Sequence, residues 1–154
     1  MLRSVIIAGI LLLPLAAVAD FDSGCKAFEQ GDFDAARQHW QPLAEKGHAQ
    51  AQFRLGCLYV FGQGVPQDSA MALRLYRLAA EQGDADAQNN LGGMYAEGLG
   101  VEPDLIRAYM WFEIAARSGH DVASRNRDFI AERMTSEQIA DARAMAREWR
   151  PSRR

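Results

Sequence analysis

One feature constrains this chain more than any other: it repeats itself. Ala49–Asp84 overlays Ala85–His120 at a period of 36 without a gap, and 14 of the 36 positions are identical. The pairs include Leu55/Leu91, Gly56/Gly92, Tyr59/Tyr95, Gly62/Gly98, Gly64/Gly100, Asp68/Asp104 and Gly83/Gly119. A period of this length belongs to solenoids, where each unit buries its apolar side against its neighbours.

Each unit reads as two helices. Ala51, Leu55, Leu58 and Tyr59 recur at helical spacing, which predicts a first helix over 49–61 and its copy over 85–97. Gly62-Gln63-Gly64 ends it, since glycine takes the left-handed conformation that closes a helix. Asp68 stands where an N-cap is needed, and a second helix follows over 69–82, with Ala72, Leu75, Tyr76, Ala79 and Ala80 on one face. Gly56, Ala72 and Ala79 are expected where the two helices approach most closely. A shorter unit spans 20–48, with a first helix over about 22–30, and Ala36, Trp40, Ala44 and Gly47 match Ala72, Tyr76, Ala80 and Gly83. It lacks the Gly-x-Gly-Val turn. After 120 come a further first helix over about 123–133 and a restart at Thr135, with Gln138 three residues on as its capping-box partner. Ile139, Ala142, Ala146 and Trp149 then share one face, which is expected to close the open end of the stack.

The string Ala-x-Ala-Gln-x-x-Leu-Gly-x-x-Tyr-x-x-Gly-x-Gly-Val, followed by Asp and Ala-Ala-x-x-Gly, resembles the Sel1-like repeat, a relative of the tetratricopeptide unit. It stands here at 49–83 and again at 85–119. The resemblance implies an all-α fold: an α/α superhelical solenoid of helix pairs with a C-terminal capping helix. It also implies a module that binds other proteins. The expected organisation is a leader over 1–19, units over 20–48, 49–84 and 85–120, a half repeat with its cap over 121–150, and a basic tail over 151–154. The last unit departs from the pattern by carrying Arg127-Asp128 in place of Leu-Gly.

The leader is the second clear signal. Arg3 precedes an apolar run from Val5 to Val18, and Ala17-Val18-Ala19 closes it. That order is a secretory signal, cut after Ala19. The mature chain is expected in the periplasm or outside the cell, with no stable membrane insertion. Ser23-Gly24-Cys25 resembles the end of a lipobox, but Asp22 and Asp20 stand where aliphatic residues are required.

Catalytic chemistry is sparse. His39, His48 and His120 form no ligand cluster, so no metal and no cofactor are expected, and all three are assigned to the surface. Ser23-Gly24-Cys25-Lys26 fits Ser-x-x-Lys, the acylated-serine motif of penicillin-binding enzymes, and some Sel1-like proteins have been linked with β-lactam binding. No Ser-Asp-Asn or Lys-Thr-Gly follows, and the chain is expected not to be an enzyme. Asp20, Asp22, Asp32, Asp34, Asp84 and Asp86 concentrate at helix starts, where the macrodipole favours them. A net charge of −3 leaves no footprint for nucleic acid. Cys25 and Cys57 each follow a glycine at the same repeat position. Neighbouring helices lie about 8–10 Å apart, too far for a disulfide, whereas the compartment favours one; the balance is two reduced thiols.

The first helices of such units line a concave face. Its exposed positions fall on Phe53, Cys57, Val60 and Phe61, then on Asn89, Gly93, Ala96 and Glu97, then on Arg125, Phe129 and Glu132. The face is expected to run from apolar to polar, with Phe53 and Phe61 as the binding aromatics. Asn90 and Asn126 share one repeat position and are candidates to hold a peptide backbone. The expected activity is binding of a partner protein by a chain that is a monomer when alone. The role would be that of an envelope scaffold or adaptor, or of an inhibitor or immunity-type protein. A cell-wall peptide or glycan binder, or a β-lactam-reactive enzyme, is the alternative. Arg143, Arg147, Arg150, Arg153 and Arg154 make a basic end that is expected to be frayed and solvated.

Overall fold

The computed structural model describes residues 19–152; the leader, its cut after Ala19, and Arg153 and Arg154 lie outside or at the edge of that range. Eight helices and no strand are found among the described residues. They are α1 (Phe21–Glu29), α2 (Phe33–Glu45), α3 (Ala49–Phe61), α4 (Ser69–Glu81), α5 (Ala85–Glu97), α6 (Leu105–Arg117), α7 (Asp121–Ala131) and α8 (Ser136–Glu148). Each helix packs on the next in the chain through α7, and α8 folds back on α6. The odd-numbered helices are the first of each pair and the even-numbered ones the second.

Helix starts follow local chemistry. The carboxylates of Asp20, Asp32, Asp68, Asp84 and Asp104 each accept the backbone N–H three residues on, at 2.8–3.0 Å. Thr135 and Gln138 form the expected capping box. Helix α7 starts two residues earlier than its apolar spacing predicts because His120 caps it. Gly62 and Gly98 close α3 and α5 in the left-handed conformation.

Three glycine–aromatic pairs hold the helix pairs together. Trp40, Tyr76 and Phe112, at the 36-residue period, are buried on the second helices. They press on Gly24, Gly56 and Gly92, where an added Cβ would stand 2.3, 2.7 and 2.7 Å from the ring. No side chain fits there.

Two further contacts set repeat upon repeat. The second glycine of each turn, Gly64 or Gly100, sits against the backbone at the start of the preceding unit's second helix. A Cβ there would lie 2.8 Å from Phe33 or 2.7 Å from Ser69. Buried Gln52 donates to the Ala44 carbonyl at 3.0 Å, and Gln88 to that of Ala80 at 3.1 Å, crossing from one unit to the last turn of the one before.

Helix α8 closes the stack on its apolar face. Ala142 and Ala146 are buried, Arg143 donates to the Tyr109 hydroxyl at 3.0 Å, and Arg117 donates to the Ala146 carbonyl at 3.2 Å. The expectation of a frayed end is corrected as far as Ser152. Trp149 meets Trp111 edge-on, and Ser152 N–H donates to the Glu81 carbonyl at 2.7 Å.

Candidate protein-binding face

The candidate residues lie on the first-helix side of the stack. Phe61, at the end of α3, is 69% exposed. Phe129, on α7, is 65% exposed, so the far end of the face is also aromatic rather than simply polar. Between them, Gly93 on α5 has open space where its Cβ would point, with nothing within 4 Å. Unlike its neighbour Gly92, it has no packing role. Glu97 and Arg125 are exposed on α5 and α7, and Ala96 is half-buried.

Three candidates differ from expectation. Phe53, Cys57 and Val60 are half-buried and packed against the core. Phe53 leans on the Tyr76 ring at a centroid distance of 5.7 Å, so it serves the fold more than an open groove. The reason is that Gly56 lets Tyr76 rise between these side chains. Cys57 accepts a hydrogen bond from the Tyr76 hydroxyl at 3.3 Å, and burial pushes both the thiol and the phenol above their ordinary pKa values.

Three amides join between α7 and α5. Asn126 of α7 donates to Asn89 of α5 at 2.9 Å, and Asn89 donates to Asn90 at 3.3 Å. The Asn90 side chain acts on the Tyr76 phenol by favouring its ionised form, and the Tyr76 hydroxyl donates to Cys57. Spacing alone pairs Asn90 with Asn126, whereas the structure brings Asn126 to Asn89. Arg54, exposed on α3, adds positive charge near Cys25, Cys57 and Asp84. Burial nevertheless raises the Asp84 carboxyl.

The histidines have a role that the sequence did not disclose. His48 and His120 are N-caps, each accepting a backbone N–H at Nδ1 at 3.1 Å. The proton then sits on Nε2, which in His120 points to Asp86 Oδ1 at 3.0 Å. Asp84 caps the unit between them, so the signal lay in the alignment: a histidine where another repeat has a capping aspartate. Ser23 Oγ donates to Asp20 at 2.7 Å, which ties the Ser-x-x-Lys serine into the cap of α1. That hydroxyl, with its backbone N–H, holds the Asp20 carboxyl below its ordinary pKa. Cys25 and Cys57 are free thiols. Among the described residues, no three His, Cys, Asp or Glu side chains are placed to hold a metal, and no helix is long and apolar enough to cross a membrane.

The pattern of the Sel1 repeat matches residues 25–48, 49–84 and 85–120, together more than half of the chain. This chain belongs to the Sel1 repeat family. Its fold is the α/α solenoid of that family, and the Sel1 repeat is a protein-interaction module. One solved relative is a protective antigen present in uropathogenic Escherichia coli strains that displays this fold. It superposes with a TM-score of 0.78 at 32% identity, over 82% of this chain and 28% of its own. Another is a Sel1 repeat protein from Oxalobacter formigenes, with a TM-score of 0.71 at 26% identity, over 85% of this chain and 56% of its own. A curated relative from Rhizobium leguminosarum bv. viciae, an exopolysaccharide production negative regulator, is 36% identical over 56 residues. That match covers 36% of this chain and 21% of the relative. This Sel1 repeat protein thus spans a minor part of the first two proteins named by function.

Proposed function

We propose that this Sel1 repeat protein is exported and binds a single partner protein along its first-helix face, acting by occupancy rather than by catalysis. One observation carries the reading: two exposed phenylalanines, Phe61 and Phe129, flank the open floor at Gly93. A helix-interior glycine costs about 1 kcal/mol relative to alanine. Gly93 has no packing contact to justify that cost, so close approach of a partner is the remaining physical reason for it. Exposed aromatics anchor such contacts, and the Asn89–Asn90–Asn126 chain keeps spare donors and acceptors for a backbone. The leader pattern of Arg3, the apolar run and Ala17-Val18-Ala19 supports export to the periplasm or beyond. The name of the Rhizobium relative favours an envelope adaptor with a regulatory role over an immunity-type inhibitor.

The test is capture from the envelope fraction by the mature chain, wild type beside Phe61→Glu/Phe129→Glu, read by mass spectrometry. Both side chains are exposed, so the fold should survive. The expected result is one stoichiometric partner that the double variant loses. Capture that is indifferent to the variant moves the site off this face. Enrichment of wall peptides or glycans in place of a protein supports the alternative ligand class. Export is tested separately by N-terminal sequencing, which should begin at Asp20.

A further inference from the structure

A groove runs between α2 and α4 over α3, on the second-helix side of the stack. Its volume is about 390 Å³, within the usual range for ligand clefts. Leu55, Leu75 and Leu78 are its apolar lining. Arg74 and Glu45 are its two charged side chains, and they balance. Shape and main-chain hydrogen bonding must therefore select what it holds.

The next repeat shows what such a place accepts, because the chain lays its own end across it. The segment from Trp149 to Ser152 crosses from α6 to α4. Trp149 begins it in a polyproline-like conformation, with φ −60° and ψ 138°. Its ring meets Trp111 edge-on at a centroid distance of 6.1 Å and shares a cleft with Ile114. Ser152 then donates twice to the Glu81 carbonyl, from its N–H at 2.7 Å and from Oγ at 3.1 Å. One ring and one main-chain donor three residues on hold the segment.

Thirty-six residues earlier, the same points line the groove. Trp111, Ile114 and Glu81 correspond to Leu75, Leu78 and Glu45. Glu45 ends α2 as Glu81 ends α4, so its carbonyl is one of the last four that find no partner within their helix. Leu75 and Leu78 keep the ring's landing place apolar. Leucine is smaller than tryptophan, so the first groove has more room for an incoming ring than its copy. The matching segment of a second copy is held on its own α4 and would have to give up those contacts to enter.

We propose that the α2–α4 groove is a second binding site, which takes an extended segment of a partner protein carrying a large aromatic side chain. The ring enters against Leu75 and Leu78, and a main-chain N–H three residues on donates to the Glu45 carbonyl. The site is separate from the first-helix face, so either can fail alone.

The probe is a fluorescein-labelled Gly-Trp-Ala-Pro-Ser-Gly peptide titrated into the mature chain and read by anisotropy. It should bind, with NMR shifts at Leu55, Leu75 and Leu78. Ala in place of its Trp should weaken binding at least about tenfold. Pro in place of its Ser, which removes the N–H aimed at Glu45, should weaken it about threefold to tenfold. Leu75→Trp, which installs the residue found one repeat on, should weaken it by narrowing the groove. Phe61→Glu/Phe129→Glu should leave it unchanged. A flat titration overturns the proposal, as does equal binding of the Ala version. Shifts confined to Trp111 and Ile114 also overturn it, since the peptide would then be displacing the chain's own end. Self-association of the mature chain in sedimentation, competed away by the peptide, would assign the groove to a second copy and overturn the choice of partner. The peptide changes leave the protein untouched, so they keep the test valid if Leu75→Trp disturbs packing.

Discussion

A methyl group on Gly92 would stand 2.7 Å from Cε1 of Phe112, and that pair fixes how closely α5 and α6 approach. The Ala108 carbonyl, 3.1 Å away on the other side, blocks escape. Gly92→Ala should therefore destabilise the protein by about 1–3 kcal/mol, the usual cost of overpacking. Phe112→Leu in the same chain should recover part of the loss. Urea denaturation measures both, and an unchanged midpoint for Gly92→Ala would refute the close approach.

The adjacent glycine should behave in the opposite way. Nothing lies within 4 Å of a Cβ on Gly93, so Gly93→Ala should stabilise the helix by about 0.5–1 kcal/mol. Gly93→Leu should leave the melting temperature near that of wild type and lower partner capture. Two glycines side by side thus differ in kind: packing requires Gly92 and leaves the position of Gly93 open.

His48 accepts the Ala51 N–H and stacks on Phe21 at a centroid distance of 5.1 Å. His48→Ala should cost about 1–2 kcal/mol, the loss of an N-cap together with a ring contact. His48→Asp, which copies Asp84 from the next unit, should restore the capping share and not the stacking. Thermal melts of the three proteins at neutral pH decide this; equal melts for Ala and Asp would deny the cap.

Alkaline conditions should weaken the fold through Cys57 and Tyr76. Burial raises the Cys57 thiol above its ordinary value of 9.0 and the Tyr76 phenol above 10.0. The unfolded chain then releases these protons first. Stability is full below the unfolded thiol value and falls as pH rises above it. Tyr76→Phe is compatible with the fold, since Phe112 occupies that position one repeat on. Together with Cys57→Ala it should flatten the decline in denaturation midpoint between about pH 8 and 11. A decline as steep as in wild type would place its origin elsewhere.

The candidate face was partly legible. Phe61 is as exposed as its spacing suggested, because it is the last residue of α3 and only a turn follows. Phe53 is not, because Tyr76 from the partner helix reaches up beside it through the gap at Gly56. A pattern of offsets along one helix carries no information about how far a ring on another helix extends. Phe129 falls on the face by spacing, but its repeat counterparts, Gly93 and Cys57, give no sign of an aromatic anchor there.

The sequence by itself determined the repeat units, the helix starts capped by aspartate or threonine and the breaks between them. Those follow from contacts within about four residues: a side-chain oxygen on the N–H three positions on, and a glycine in the left-handed conformation. It also determined the family, because the repeat is written twice with little change. The tertiary structure alone decided which small residues matter and why. Gly64 and Gly100 turn the chain, but the structure shows that each also presses on the preceding unit, at Phe33 and Ser69. Gln52 and Gln88 look like ordinary polar positions until their carbonyl partners arrive from the helix before. The same holds for Ser152 on Glu81. These are distances between helices. They depend on the volume of side chains brought together by packing, and that volume is set by residues far apart in the chain.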